Sequence, residues 1–270
     1  MKDYIKQLIA DKHGSLLKTL TVREYLQARI LQTLQDSGIF LNWVFHGGTA
    51  LRFLFSIPRF SEDLDFSLVK PDTQPFFRKV LQKIKNVFEG ENYSLTIKLS
   101  EKKPVVSAFI RFSGLLYEMG LSPHQSQVVS IKIELDTNPP PGANFSTTIV
   151  RHHVTLNLFH YDKASLFAGK LSAILIRLYT KGRDLYDLVW YLSDKSWPQP
   201  NLNLLNERLK QSGWAGPTLA AQNWKDILAD RLSAIDWAQA QKDVQPFLER
   251  EKDIDLVTKE VCLRALEGDR

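Results

Sequence analysis

Apolar residues first recur at helical spacing over 21–37, where Val22, Tyr25, Leu26, Ile30 and Leu34 form one stripe. Thr21 and Glu24 stand at capping-box spacing ahead of it and Gly38 follows, so a helix with both ends signalled is expected. The apolar run 40–45 then predicts a strand, His46-Gly47-Gly48-Thr49 a glycine turn, and 50–55 a second helix. After Pro58 the period changes to two. Residues 61–68 alternate polar and apolar, the mark of a half-buried strand that puts Asp63 and Asp65 on one face. Phe76, Phe77, Val80, Leu81, Ile84 and Phe88 restore helical spacing over 74–89. Strands are predicted at 93–99, 105–112 and 127–135, with a further one in 148–158. From Lys163 to the end the spacing is helical, interrupted by Gly182, by Pro198 and Pro200, and by Gly213, Gly216 and Pro217. The expected class is α+β: a mixed sheet with flanking helices in residues 1–160, then an α-helical part in 161–270.

Composition narrows the setting without deciding the chemistry. A chain of 270 residues, 44% hydrophobic, is long enough to bury its own core without disulfides. No run approaches the 18 or so uncharged apolar residues of a membrane span. The first residues carry Asp3 and Asp11 and lack the apolar run of a signal peptide, so a cytoplasmic setting is expected. Cys262 is the sole cysteine, which excludes an internal disulfide and a cysteine-built zinc site. A net charge of +5 suits an anionic partner such as nucleic acid, although many proteins this basic bind none.

Two aspartates one residue apart on a strand repel each other unless a cation lies between them. Magnesium prefers such hard oxygen ligands and keeps positions open for substrate phosphates, so Asp63-Leu64-Asp65 is a plausible Mg2+ (or Mn2+) seat; the same motif also occurs on solvated strand faces. Gly47, Gly48 and Thr49, about fifteen residues upstream, shift the balance. Small residues at a helix entrance let backbone N–H groups approach phosphate oxygens. Turn, helix and acidic strand in that order bring a phosphate cradle and a metal seat to one end of a sheet, as a nucleoside triphosphate requires.

FHGGTALRFLFSIPRFSEDLDFSLV, with its Gly-Gly-Thr turn and Arg59-Phe60-Ser61-Glu62-Asp63-Leu64-Asp65-Phe66, resembles the signature of the AbiEii/AbiGii toxin family. A second block, KLSAILIRLYTKGRDLYDLVWYL, is similar to that family's lysine-bearing helix followed by an Arg-Asp-x-x-Asp helix. The resemblance implies a DNA polymerase β-like nucleotidyltransferase sheet, with a helical part that completes the active site. It also implies transfer of a nucleoside monophosphate from an NTP to an acceptor, with tRNA 3' ends or other RNA as expected acceptors and a cognate antitoxin as expected partner.

Carried onto this chain, the resemblance makes Asp63 and Asp65 metal ligands and implies a third carboxylate on a neighbouring strand. Lys132, Glu134 and Asp136 share the polar face of 127–135; Glu134, in mid-strand, is the choice, because Asp136 adjoins the turn residues Thr137-Asn138-Pro139. Arg59 and Ser61 join Gly47, Gly48 and Thr49 in nucleotide binding. Lys163, Lys170 and Arg177 recur every seven residues beside an apolar stripe, and Lys170 occupies the family's lysine position as a phosphate ligand. Asp184 is assigned to orient Lys170 or approach the acceptor hydroxyl, with Arg183 and Asp187 in support and Asp187 alternatively paired to Arg183. Lys170 and Asp184 are read as surface-helix positions whose loss costs activity and not stability. His46 beside the glycines is read as structural, and His152, His153 and His160 lack acidic neighbours in sequence, which argues against zinc. A binding module without catalysis and a metal-dependent nuclease are the competing readings; the first would need no Mg·NTP, and the second would release nucleotides without consuming NTP.

Overall fold

A computed structural model of the chain describes residues 2–71, 76–102, 104–179 and 181–268. Its backbone divides into two compact units. The first comprises Met1–Ser56, Phe60–Pro139 and Thr147–His160, and the second Ile57–Arg59, Pro140–Ser146 and Tyr161–Arg270.

In chain order the elements begin with helices α1 (Lys2–Ala10) and α2 (Ser15–Gln35), strand β1 (Trp43–His46), helix α3 (Gly47–Phe55), strand β2 (Leu64–Leu68) and helix α4 (Phe77–Gly90). Strands β3 (Ser94–Ser100) and β4 (Val105–Ser113), the single turn α5 (Leu115–Glu118), and strands β5 (Val128–Asp136), β6 (Phe145–His152) and β7 (Val154–Tyr161) follow. Helices α6 (Lys163–Ile176), α7 (Gly182–Ser193), α8 (Leu202–Gln211), α9 (Trp224–Ser233), α10 (Trp237–Val244) and α11 (Lys259–Glu267) complete the described chain. Among the described residues seven strands form one mixed sheet in the order β3-β4-β5-β2-β1-β7-β6. The pairs β2–β5 and β1–β7 are parallel, whereas β1–β2, β3–β4 and β4–β5 are antiparallel.

One sheet face is built from Trp43, Phe45, Leu64, Phe66, Ile131, Ile133 and Leu135, all buried. Helix α4 covers part of it: Phe77 stacks on Trp43 with ring centroids 5.6 Å apart, and Phe88 meets Phe112 edge-on at 5.1 Å. The stripe Phe77, Val80, Leu81, Ile84 and Phe88 is buried along the whole helix. At roughly 1.5–3 kcal/mol for each large apolar side chain, that stripe outweighs what helical propensity alone could supply.

Several element boundaries depart from the sequence reading. Helix α2 starts at Ser15, after Gly14 at φ 81, so Thr21 lies inside it and its hydroxyl donates back to the Leu17 carbonyl at 2.8 Å. Glu24 is therefore no capping residue. It is drawn away to Arg52, whose Nε donates to it at 2.6 Å, and to His152 and His153. Burial alone would raise the Glu24 carboxyl; the His152, His153 and Arg52 contacts outweigh burial and hold it well below the usual range. The run 40–45 splits into a 3-10 turn at Ile39–Leu41 and the four-residue β1. No separate glycine turn follows, because Gly47 and Gly48 are already the first turn of α3. The expected strand 148–158 is two strands, reversed at His153, which takes the left-handed φ of 62. The expected helix 74–89 opens at Phe77, and positions 74 and 75 lie outside the described residues.

Candidate active site

A polar row crosses five strands of the first unit. His46 pairs in register with Asp65, Asp65 with Glu134, Glu134 with Ser107, and Ser107 with Ser100. Register partners project from the same side of a sheet, so Asp65 and Glu134 are neighbours on the face opposite the apolar core. The period-two pattern of β5 puts Lys132 and Asp136 on that face as well. The candidate ligands Asp63, Asp65 and Glu134 are all half-buried.

Asp63 sits just before β2, since the ladder begins at Leu64 and 61–63 is not strand. Side chains of α2 and α3 tie that segment down instead. Gln27 donates to the carbonyls of Ser61 at 3.1 Å and Glu62 at 2.8 Å, and Arg23 pairs with Glu62 at 3.2 Å. The buried Thr49 hydroxyl donates to the Asp63 carbonyl, so the third residue of the Gly-Gly-Thr motif anchors the backbone just before β2.

Gly47 and Asp65 touch. A Cβ built on Gly47 would stand 2.2 Å from the Asp65 Oδ2, and Gly47 also adopts φ 80, which favours glycine. The N-terminus of α3 thus lies beside the acidic row. Its first backbone N–H groups have no partner within the helix and favour an anion. His46, at the N-cap position, makes no side-chain cap; its Nε2 lies 2.9 Å from the Ser67 hydroxyl.

Lys132 is the residue that sequence reasoning passed over. Its ammonium lies 2.6 Å from Glu134. Partial burial on its own would lower its pKa; the Glu134 hydrogen bond and the charges of Glu134, Asp63 and Asp65 more than reverse this and raise it. One lysine therefore offsets part of the negative charge of the acidic row. The signal was present, because Lys132 shares the polar face with Glu134, but spacing alone did not say which of the two charges mattered more.

The second unit gathers the other candidates. Arg59 is 1% exposed and its guanidinium grips Asp187 with two 2.6 Å hydrogen bonds, from Nε to Oδ1 and from NH2 to Oδ2. Lys170 lies 2.6 Å from the same Asp187 and 3.0 Å from Asp184, and Arg177 also bonds Asp184. Asp184 is buried and the Lys170 side chain is nearly so, so the expectation that Lys170 and Asp184 are surface positions is corrected: both belong, with Asp187, to a desolvated ion cluster. A phosphate contact by Arg59 would first have to break its Asp187 pair. Arg183 stands 3.8 Å from Asp243 and lies over the Phe247 ring at 4.1 Å.

Comparison with known families decides the affiliation: the family model described as nucleotidyl transferase AbiEii toxin, type IV toxin–antitoxin system, matches residues 29–259. The chain belongs to the AbiEii family. Both motif blocks lie inside the matched span. Two solved structures are also similar: a candidate nucleotidyltransferase from H. pylori, with 19% identity, TM-score 0.49 and coverage of 92% of this chain and 96% of its own, and JHP933 from Helicobacter pylori, with 17% identity, TM-score 0.48 and coverage of 92% and 94%. No curated protein matches the chain. Membership of the AbiEii family makes this a toxin-family nucleotidyltransferase, with a nucleotide substrate and an antitoxin partner implied. No helix among the described residues is long and apolar enough to cross a membrane.

Such transferases typically use a divalent metal, and the hard oxygens of Asp63, Asp65 and Glu134 suit one of the magnesium type. Lys132 already supplies one positive charge among them. The three side chains are not drawn tightly together, however. Among the described residues the one set of three candidate ligands whose atoms lie within 4.8 Å of one another is Glu24, His152 and His153.

Proposed function

We propose that this AbiEii chain is a cytoplasmic Mg2+- or Mn2+-dependent enzyme that transfers a nucleoside monophosphate from an NTP to RNA, with the tRNA 3' end as the acceptor. The observation that carries the reading is the in-register pairing of Asp65 with Glu134, beside the Gly47 entrance of α3. The first unit is assigned the catalytic role. Asp63, Asp65 and Glu134 hold the metal, which when bound supplies charge neutralisation for the triphosphate. Gly47, Gly48 and Thr49 position phosphate oxygens at the helix N-terminus, and Ser61 flanks them. The acceptor hydroxyl oxygen bonds to the α-phosphorus while the bond to the pyrophosphate oxygen breaks; Glu134 aligns that hydroxyl and takes its proton. Lys132, released from Glu134, meets the negative charge of the departing pyrophosphate. In the second unit Lys170 is assigned to phosphate, with Asp184 orienting its ammonium from 3.0 Å, and Arg59, Arg183 and Asp187 supporting that pair.

The test incubates purified protein with each labelled NTP, Mg2+ and cell extract, and follows label by gel. Label should enter RNA of tRNA size. Asp63→Asn and Asp65→Asn should each lower the rate by about 10³-fold or more, since metal charge stabilisation is worth several kcal/mol. Metal-free stability should stay within about 1 kcal/mol of the parent, because each change also relieves carboxylate repulsion. Label transfer by the double Asp63→Asn/Asp65→Asn variant would sink the mechanism. Binding of RNA without NTP consumption would favour the binding-module reading, and release of nucleotides would favour a nuclease.

A further inference from the structure

Glu24, His152 and His153 come together from α2 and from the reversal between β6 and β7, within the first unit. Nothing in the transfer reaction uses them. His152 Nε2 is 2.9 Å and His153 Nε2 is 3.3 Å from the same oxygen, Glu24 Oε1. The two imidazoles are nearly perpendicular, with ring centroids 4.9 Å apart, so their nitrogens approach that oxygen from different directions. Phe53 packs on His152 at 4.6 Å and Tyr25 meets His153 edge-on at 5.9 Å, which fixes both rings.

Three features distinguish this cluster from an ordinary histidine–glutamate pair. His152 Nε2 is buried and, despite its 2.9 Å approach, satisfies no hydrogen bond. Ligands held about 2.0–2.1 Å from a tetrahedral ion are separated from one another by about 3.3 Å, close to the spacings found here. The remaining carboxylate oxygen is held from behind, as ligating carboxylates usually are: Arg52 Nε donates to Glu24 Oε2 at 2.6 Å, and its NH2 comes no nearer than 3.5 Å to Oε1. His153 accepts the left-handed backbone of the reversal, which brings adjacent imidazoles to one point.

We infer that Glu24, His152 and His153 form a second metal site, separate from the acidic row, that takes a borderline divalent transition ion of the Zn2+ class. Two imidazoles and one carboxylate select such an ion over Mg2+, whereas the three carboxylates of the row select the reverse. An ion there ties the β6–β7 reversal to α2 and, through Arg52, to α3, whose first residues are Gly47 and Gly48.

The test uses the full chain, stripped with chelator and titrated calorimetrically with Zn2+ in excess Mg2+, which fills hard-oxygen sites. One Zn2+ should bind per chain in the parent and equally in Asp63→Asn/Asp65→Asn. His152→Gln/His153→Gln should weaken binding by about 100-fold or more. Glu24→Gln, which leaves the reversal untouched, should weaken it too, and circular dichroism verifies that each variant is folded. Zn2+ should also raise the melting temperature of the parent and not of the histidine variant. The inference is overturned if the folded parent binds no stoichiometric Zn2+, if the histidine and Glu24 variants bind it as tightly as the parent, or if only the aspartate variant loses it. None of these outcomes bears on nucleotide transfer, whose failure would appear in the labelling assay with Mg2+ alone.

Discussion

A side chain at position 47 would meet two separate obstacles. The backbone there is left-handed, which costs an ordinary residue about 1–2 kcal/mol, and any Cβ would collide with the Asp65 carboxylate. Gly47→Ala should therefore lower the melting temperature moderately and displace Asp65. Calorimetric affinity for Mg·NTP should fall by more than stability does; equal affinity in the folded variant would mean that Asp65 lies outside the nucleotide site. The sequence marked Gly47 as a turn residue through the Gly-Gly pair, yet one of its two reasons for being glycine is a contact with a residue 18 positions later, which no local pattern carries. Glu24 teaches the converse. Its spacing from Thr21 imitates a cap, and only the folded arrangement shows that Arg52 and two histidines claim it.

Helices α6 and α7 are held together by charge as well as by their apolar stripes. Lys170 and Arg177 on one side meet Asp184 and Asp187 on the other, and Arg59 seals Asp187 from the linker before β2. Removing one partner strands a desolvated charge, which costs about 3–5 kcal/mol, a large share of a typical 5–15 kcal/mol stability. Asp187→Asn should accordingly shift urea unfolding by about that amount, and Lys170→Met by less, since Arg59 remains on Asp187. An unchanged midpoint for Asp187→Asn would show that the pair is open in solution. The pH dependence has a definite sign. Burial would raise Asp184, but Lys170 and Arg177 outweigh it and lower its pKa, so its contribution is present above the ordinary carboxylate range and lost as pH falls through the depressed value. Burial would lower Lys170, but Asp187 and Asp184 raise it, so its contribution is complete below the ordinary lysine range and lost as pH rises through the elevated value. Melting temperatures should form a plateau between these limits in the parent. The helical spacing of both segments was legible, and so was the Arg-Asp-x-x-Asp face. The Arg59–Asp187 pair was not, because its members stand 128 positions apart and no periodicity reaches that far.

Alternation of apolar and polar residues was enough to place β3, β4 and β5, since burial on one face imposes a period of two wherever it acts, but it missed the reversal at His153 and the late start of β2. Strand order was beyond it. β2 neighbours β5 and β1 neighbours β7, pairings that no adjacent turn dictates. The parallel union of β2 with β5 has a consequence in time. Asp65 leaves the ribosome roughly 70 residues ahead of Glu134, which at about 5–20 residues per second is several seconds. Chains arrested before Val128 should therefore be unable to transfer nucleotide, whatever their concentration. Under the proposed mechanism a chain still short of β5 has no assembled site, and that interval, plus the time β5 takes to dock, is open for an antitoxin to engage the chain.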